Sequence, residues 1–112
     1  MDTEQQIQQI QADFAVSKQL LTAIGDETRQ IILTVLMVAD QIKGLRVGEI
    51  TAKTFLSQPA VSHHLTILLQ AGIIARRKSG TMNFYTLNLG QEFQNLLNLV
   101  NHIEQLRKDL DC

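Results

Sequence analysis

The stretch that most constrains this sequence runs from Ser57 to Leu87. Ser57 is a good helix N-cap, Pro59 is tolerated in a first turn because an N–H there would have no helical partner, and Gly72 stands where a helix would stop. Ala60 to Ala71 contains no breaker. Two strand-like runs follow at once, Ile73 to Lys78 and Met82 to Leu87, around the turn-forming pair Ser79-Gly80. A well-delimited helix leading straight into a β-hairpin leaves few folds open to a chain of 112 residues, a length that suits one domain with one core.

Upstream, Thr3 with Gln6 has the spacing of a capping box, and Ile7, Ile10, Phe14, Leu21 and Ile24 predict one long first helix ending at Gly25. Asp26 is placed to cap a second helix with Ile31, Ile32, Val35, Leu36 and Ala39 on its apolar stripe. Asp40 to Val47 reads as a loop or short strand, and Glu49 to about Thr54 as a short helix. Asn88 with Gln91 is placed to cap a last helix carrying Phe93, Leu96, Leu97, Val100, Ile103, Leu106 and Leu110. Aromatic residues make up only 4%, so the core is built from Leu, Ile, Val and Ala, which suits helix packing. The fold class expected is mainly α with a small β-hairpin, a winged helix-turn-helix of five helices and a two-stranded wing, with 1–112 as one domain.

The longest apolar stretch, Ile31 to Ala39, is about half of the ~20 residues that cross a bilayer, so no membrane span is expected. The start Met1-Asp2-Thr3-Glu4 lacks the features of a secretion signal, and Cys112 is the only cysteine, which together point to a reducing cytoplasm. Net charge is -1, which alone argues against a polyanion partner, but the distribution argues for one. From Lys43 to Tyr85 six basic residues (Lys43, Arg46, Lys53, Arg76, Arg77, Lys78) stand against one acid, Glu49, a net +5. The remainder holds four basic and ten acidic residues, a net -6. A segment cleared of carboxylates is what a phosphate-facing surface requires. Chance clustering on a solvated face is the plainer reading of the same counts.

Gly25-Asp26-Glu27-Thr28-Arg29 with Ile31-Ile32-Leu33, Val47-Gly48-Glu49-Ile50, and the run Leu56-Ser57-Gln58-Pro59-Ala60-Val61-Ser62-His63-His64-Leu65 make a distinctive series. Leu68, Ala71-Gly72-Ile73-Ile74, Arg77-Lys78-Ser79-Gly80 and Phe84-Tyr85-Thr86-Leu87 extend it. Over about Ile24 to Leu87 this series resembles the bacterial ArsR/SmtB family of transcriptional repressors, which are small dimeric winged-helix proteins. Members often carry Gly or Asn in the turn before the recognition helix, where this chain has Phe55, and a Leu near Thr54. A distorted turn ahead of an intact recognition helix is therefore expected.

At about 100° per residue, Val61, Leu65 and Leu68 fall within about 60° of one another, with Pro59, Ser62, His63, Thr66 and Gln70 on the opposite side. The first set holds the helix to the core. The second offers hydroxyls, an amide and an imidazole suited to base edges or phosphates in a major groove, and Gln58 lies in the first turn, where such helices contact bases. The DNA-binding residues expected are Ser57, Gln58, Pro59, Ser62, His63 and Thr66 on the helix and Arg77, Lys78 and Thr81 on the wing, with Arg77 and Lys78 on phosphates. Plainer roles stand beside these: Ser57 as a cap alone, Ser62 and His63 as solvated helix residues, Arg77 and Lys78 as a solvated charge run. His64 flanks the apolar stripe and reads as a packed, hydrogen-bonded histidine.

No phosphate loop, glycine fingerprint or cysteine pair is present, so no enzyme activity is expected. His63 and His64 point about 100° apart and cannot chelate one ion together. Metal sensors of the resembling family carry a cysteine pair at the third helix or Asp and His ligands along the last one. Leu45-Arg46-Val47-Gly48 has no thiol, and His102, Glu104, Asp109, Asp111 and Cys112 do not match the usual spacing. No cofactor or metal site is expected, and no metal effector. The resemblance implies a homodimer formed by the first and last helices, whose Ile7, Ile10, Phe14, Val100, Ile103 and Leu110 have no other large surface to cover. Two recognition helices roughly 34 to 36 Å apart would read an imperfect palindrome in a double-stranded DNA operator. The function expected is a dimeric repressor released by an effector of another kind. The alternative is a winged-helix protein-interaction module without DNA binding, which has no reason to keep a basic, acid-free middle.

Overall fold

The computed structural model describes residues 1–111, with Cys112 and any ligand or redox role for it lying outside the described residues. The elements are α1 (Thr3–Val16), α2 (Lys18–Ile24), α3 (Glu27–Met37), α4 (Val47–Thr54), α5 (Gln58–Gln70), β1 (Ile74–Ser79), β2 (Met82–Leu87) and α6 (Gln91–Leu110). None of the described helices is long and apolar enough to cross a membrane. The strands pair antiparallel with Ser79 opposite Met82, so Gly80 and Thr81 form the two-residue turn and Ser79 belongs to the strand.

Among the described residues there are six helices, not five. The first stretch breaks at Ser17, whose backbone (φ -92°, ψ 4°) departs from the helix although Ser17 N still donates to Asp13 O and Leu21 N to Ser17 O. The reason is a change of partner: α1 lies along α6, whereas Leu20 and Ala23 of α2 are buried in the main core. The first cap is also different from the expected one. Asp2 accepts from Gln5 N at 2.8 Å and Gln5 returns the bond to Asp2 N, so the box is Asp2 with Gln5 and not Thr3 with Gln6. At the other end Gly90, without a side-chain cap, begins α6, because the Asn88 amide instead donates to Gly72 O. Asp26 and Ser57 cap α3 and α5 as the sequence indicated.

The core gathers Leu20 and Ala23 of α2, Ile32, Leu33 and Leu36 of α3, Ile50 of α4, Val61, Leu65 and Leu68 of α5, and Ile74 and Tyr85 of the hairpin. Arg29 ties its upper edge together. The Arg29 Nε donates to Ala23 O at 2.6 Å and Nη2 to Thr22 O at 3.3 Å, carbonyls of the last turn of α2 that lack helical partners. Nη1 of the same side chain meets His64 Nδ1 on α5 at 3.3 Å. At the wing base, Leu45 exchanges two backbone hydrogen bonds with Tyr85, and Gly44 is required beside it: a Cβ there would stand 2.6 Å from Tyr85 O, at φ +78°.

Phe55 takes the left-handed conformation (φ 59°, ψ 21°) at the end of α4, with its ring 97% exposed. The turn is therefore not distorted: Phe adopts the backbone that Gly or Asn would supply more easily.

Gln6 Nε2 donates to Asp109 Oδ2 at 2.7 Å, and Asp13 meets His102 Nδ1 at 2.5 Å, two contacts seven residues apart on each helix that run in opposite directions. α1 and α6 are thus antiparallel, joined through a polar seam. They project from the body: the principal extents are 55 × 24 × 21 Å, and the radius of gyration, 17.1 Å, exceeds the roughly 13 Å of a compact domain of this length.

Two outcomes follow for stability. Phe55→Gly should raise it by about 0.5–1 kcal/mol, since relief of a left-handed Phe outweighs the extra freedom of glycine in the unfolded chain; a lower denaturation midpoint would contradict this. The hydrogen bond from Arg29 N, with help from the Arg29 charge, lowers the pKa of Asp26 below its ordinary value. A lowered carboxylate contributes stability above its unfolded pKa, about 3.9, and loses it as pH falls through the folded one. The denaturation midpoint of the wild type should therefore fall relative to that of Asp26→Asn on acidification below about pH 4, with a constant difference above about pH 5.

Candidate nucleic-acid interface

α5 is divided lengthwise. Val61, Leu65 and Leu68 are buried, while Ser57, Gln58, Pro59, Ser62, His63 and Thr66 are exposed. No carboxylate lies on α5, so nothing on its outer face opposes phosphate. Ser57 Oγ accepts from Ala60 N at 3.2 Å, so it is a cap whose hydroxyl hydrogen is left for an outside acceptor. Thr66 Oγ1 donates to Ser62 O at 3.1 Å and keeps its lone pairs outward. The two adjacent histidines have different surroundings: His63 is exposed, and His64 is half-buried against Arg29. An arginine only donates, so His64 Nδ1 accepts and its ring hydrogen sits on Nε2.

The wing begins where α5 ends. Gly72 makes the bend at φ +77°, where a Cβ would stand 2.7 Å from Glu92 Cγ, and α5 packs against β1. Register places Arg76 opposite Tyr85, Arg77 opposite Phe84 and Lys78 opposite Asn83. Since successive residues of a strand face opposite sides, Arg77 is on one face and Arg76 and Lys78 are on the other. Arg77 is partly engaged within the chain: Nη2 donates to Lys43 O at 3.0 Å and the guanidinium carbon lies 4.9 Å from the Phe84 ring centre. Arg77 thus fixes the wing to the loop before α4, with donors left over. Lys78 and Thr81 are exposed.

Arg76, not among the contacts expected from sequence, is exposed as well. The alternation of β1 pairs it with Lys78, a signal present in the sequence once the strand is known. Lys43, Arg46 and Lys53 are exposed as well, although Glu49 lies 3.5 Å from Arg46 and offsets its charge.

The residues read as a dimer surface are uncovered in the chain: Ile7 is 44% exposed, Phe14 48%, Val100 54%, Ile103 43% and Leu110 63%, with Ile10 half-buried. The acids and histidine from His102 to Asp111 have partners of their own. His102 meets Asp13, Glu104 and Asp111 hold Arg107, and Asp109 holds Gln6 and Gln105. Within one chain, no three His, Cys, Asp or Glu side chains among the described residues gather as a metal site.

Residues 26–76 match the family model described as bacterial regulatory protein, arsR family. The transcriptional repressor SdpR of Bacillus subtilis is 37% identical over 82 residues, which cover 70% of this chain and 87% of SdpR. The HTH-type transcriptional regulator MJ1325 of Methanocaldococcus jannaschii is 42% identical over 67 residues, covering 60% of this chain and 72% of the relative. The solved structure of HlyU from Vibrio cholerae, 34% identical, superposes with a TM-score of 0.60 over 80% of this chain and 91% of that one. A cap-to-cap recognition helix, a basic hairpin and these relatives lead to one identification: the chain belongs to the ArsR family and is a DNA-binding transcriptional regulator with a winged helix-turn-helix fold, not an enzyme.

Proposed function

We propose that the chain works as a homodimeric repressor that reads an imperfect palindrome, with Ser57, Gln58, Pro59, Ser62, His63 and Thr66 in the major groove and Arg77, Lys78 and Thr81 on the backbone beside it. One observation carries the assignment: all nine side chains are exposed, on a helix and hairpin whose opposite faces are buried in the core. Reading and holding are then separate tasks. The uncharged donors and acceptors of α5 meet base edges, while the cations of the wing neutralise phosphate and release counterions without regard to sequence. Arg76, on the same face of the hairpin as Lys78, joins the phosphate set.

The dimer is supported by the α1–α6 arm, whose exposed side carries Ile7, Phe14, Val100, Ile103 and Leu110. Apolar residues so arranged on a projecting arm call for a second copy with the same arrangement. Repression is the sense in which SdpR acts, and a dimer seated on an operator blocks that stretch of DNA directly.

Selection of bound sites from random duplex DNA should return an inverted repeat with half-sites about one helical turn apart, roughly 34 to 36 Å. Affinity should fall with salt along a log–log slope of about -5 to -7, as three or four phosphate contacts per subunit require; a flat response would favour the protein-interaction module. Ser62→Ala and His63→Ala should cost roughly 1 to 3 kcal/mol of discrimination between operator and random DNA, whereas Lys78→Ala and Arg76→Ala should weaken both alike. Matching profiles for the two sets would refute the division of labour.

Ile103→Glu places an unpaired charge on the proposed interface and should shift the wild-type dimer to monomer in sedimentation, with operator affinity falling as well. A wild type that sediments as a monomer at micromolar concentration yet binds a palindrome tightly would overturn the dimer.

A further inference from the structure

An apolar pit opens between α3, the end of the hairpin and the first turns of α6, with a volume of about 350 Å3. Its floor is formed by Leu20, Leu33 and Ile73, all members of the main core, so it enters the body of the protein and is not the flat side of a helix. Its mouth is ringed by Met37, Leu89 and Phe93, which are 57%, 66% and 38% exposed. No charged side chain lines it. Three polar side chains do, and each spends a hydrogen on the backbone: Gln30 Nε2 on Ile24 O (2.8 Å), Thr34 Oγ1 on Ile31 O (2.7 Å) and Asn88 Nδ2 on Gly72 O (3.1 Å). With those bonds made, almost no polar surface faces the pit, and its lining is essentially apolar.

We propose that this pit is the effector site and that it takes a neutral, apolar small molecule. Its volume lies at the lower end of the roughly 300 to 1,000 Å3 of small-molecule sites, and an apolar cavity with a few polar groups is their usual composition. A carboxylate or phosphate would meet an apolar wall and no cation, and a metal ion would find no thiolate, imidazole or carboxylate. The floor lies in the main core, deeper than the flat surface that a partner helix would cover.

Regulation by this site rests on the DNA-binding reading above, and the walls supply the link. One wall belongs to α6, the proposed dimer helix, through Phe93 and Leu96; the other belongs to α3, whose Arg29 holds His64 of the reading helix. A molecule wedged between them alters how the dimer arm sits on the reading head, and linkage requires operator and ligand to weaken each other equally.

The probe for the test is N-phenyl-1-naphthylamine, a neutral, apolar amine with one N–H whose emission rises in apolar surroundings. Titrated into the free protein, it should give a saturable signal with one site per chain. Thr34→Phe fills the pit from an exposed helix position and Leu89→Asp puts a charge at its mouth; each should weaken binding tenfold or more while melting like the wild type. Ile42→Asp, an equally exposed apolar position outside the pit, should leave binding unchanged. Saturating probe should weaken the operator complex at least tenfold for the wild type and leave that of Thr34→Phe unchanged. A signal that never saturates, an equal loss in Ile42→Asp, or a probe expelled as chain concentration rises through the dimer range would overturn the site, the last by showing a second copy seated there. Probe binding without release of operator would overturn the effector role. The first titration contains no DNA, so a failure to bind any operator counts against the repressor reading and not against the pit.

Discussion

Arg29 is where the three elements behind the reading helix meet. Its guanidinium satisfies carbonyls at the end of α2 and an imidazole nitrogen of α5, while its backbone N–H feeds the Asp26 cap at the start of α3. A lysine would carry the charge but has one nitrogen, and it cannot reach three acceptors in different directions with a rigid fork. The interaction also sets the chemistry of the histidine pair. His64 presents a bare Nδ1 inward to a donor that never accepts, which leaves His63, one residue before it, as the exposed imidazole.

The molecule is built in two parts with opposite logic. The body buries Leu, Ile and Val from four helices and a hairpin around a single core, as an ordinary small domain does. The α1–α6 arm buries Gln6 and Leu99 and pairs Gln6 with Asp109 and Asp13 with His102, while Ile7, Phe14, Val100, Ile103 and Leu110 stay exposed. An isolated arm of this kind has little to hold it, because exposed polar pairs contribute on the order of 1 kcal/mol or less and the apolar residues contribute only when covered. The polar seam is better understood as a device for register. Two hydrogen-bonded pairs at one seven-residue spacing fix how α1 lies on α6 and thereby which apolar side chains face outward together.

Charge is divided in the same spirit. The reading helix has no Asp, Glu, Lys or Arg between Ser57 and Gln70, and the Lys and Arg side chains nearby stand on β1 and on the loop and helix before α5. In the proposed complex, attraction to phosphate acts at the edges of the interface and leaves the centre to short, directional groups. Arg77 serves both parts, since its bond to Lys43 O and its contact with Phe84 hold the hairpin in a fixed attitude to α4 and α5.

Much of this was legible in the sequence. Local signals act over three or four residues, so the Asp26 and Ser57 caps, the Gly72 bend, the hairpin and the buried side of α5 could be read directly, and so could the exposed candidates of the reading face. The packed state of His64 followed from its angle to Val61, Leu65 and Leu68. Tertiary structure decided the rest, because it depends on residues far apart in the chain. The stripe from Ile7 to Ile24 is continuous as a pattern, yet it breaks at Ser17 because its halves meet different partners. Asn88 looks like a cap but is drawn to Gly72 O sixteen residues away, and Phe55 holds a left-handed turn because the helices on either side impose it. Arg77 and Lys78 are alike as letters; only the strand's alternation and the position of Lys43 made one a brace and left the other free. The apolar pit has no local signature at all, since its walls come from α2, α3, the hairpin and α6, and a cavity exists only where separate elements fail to close on one another.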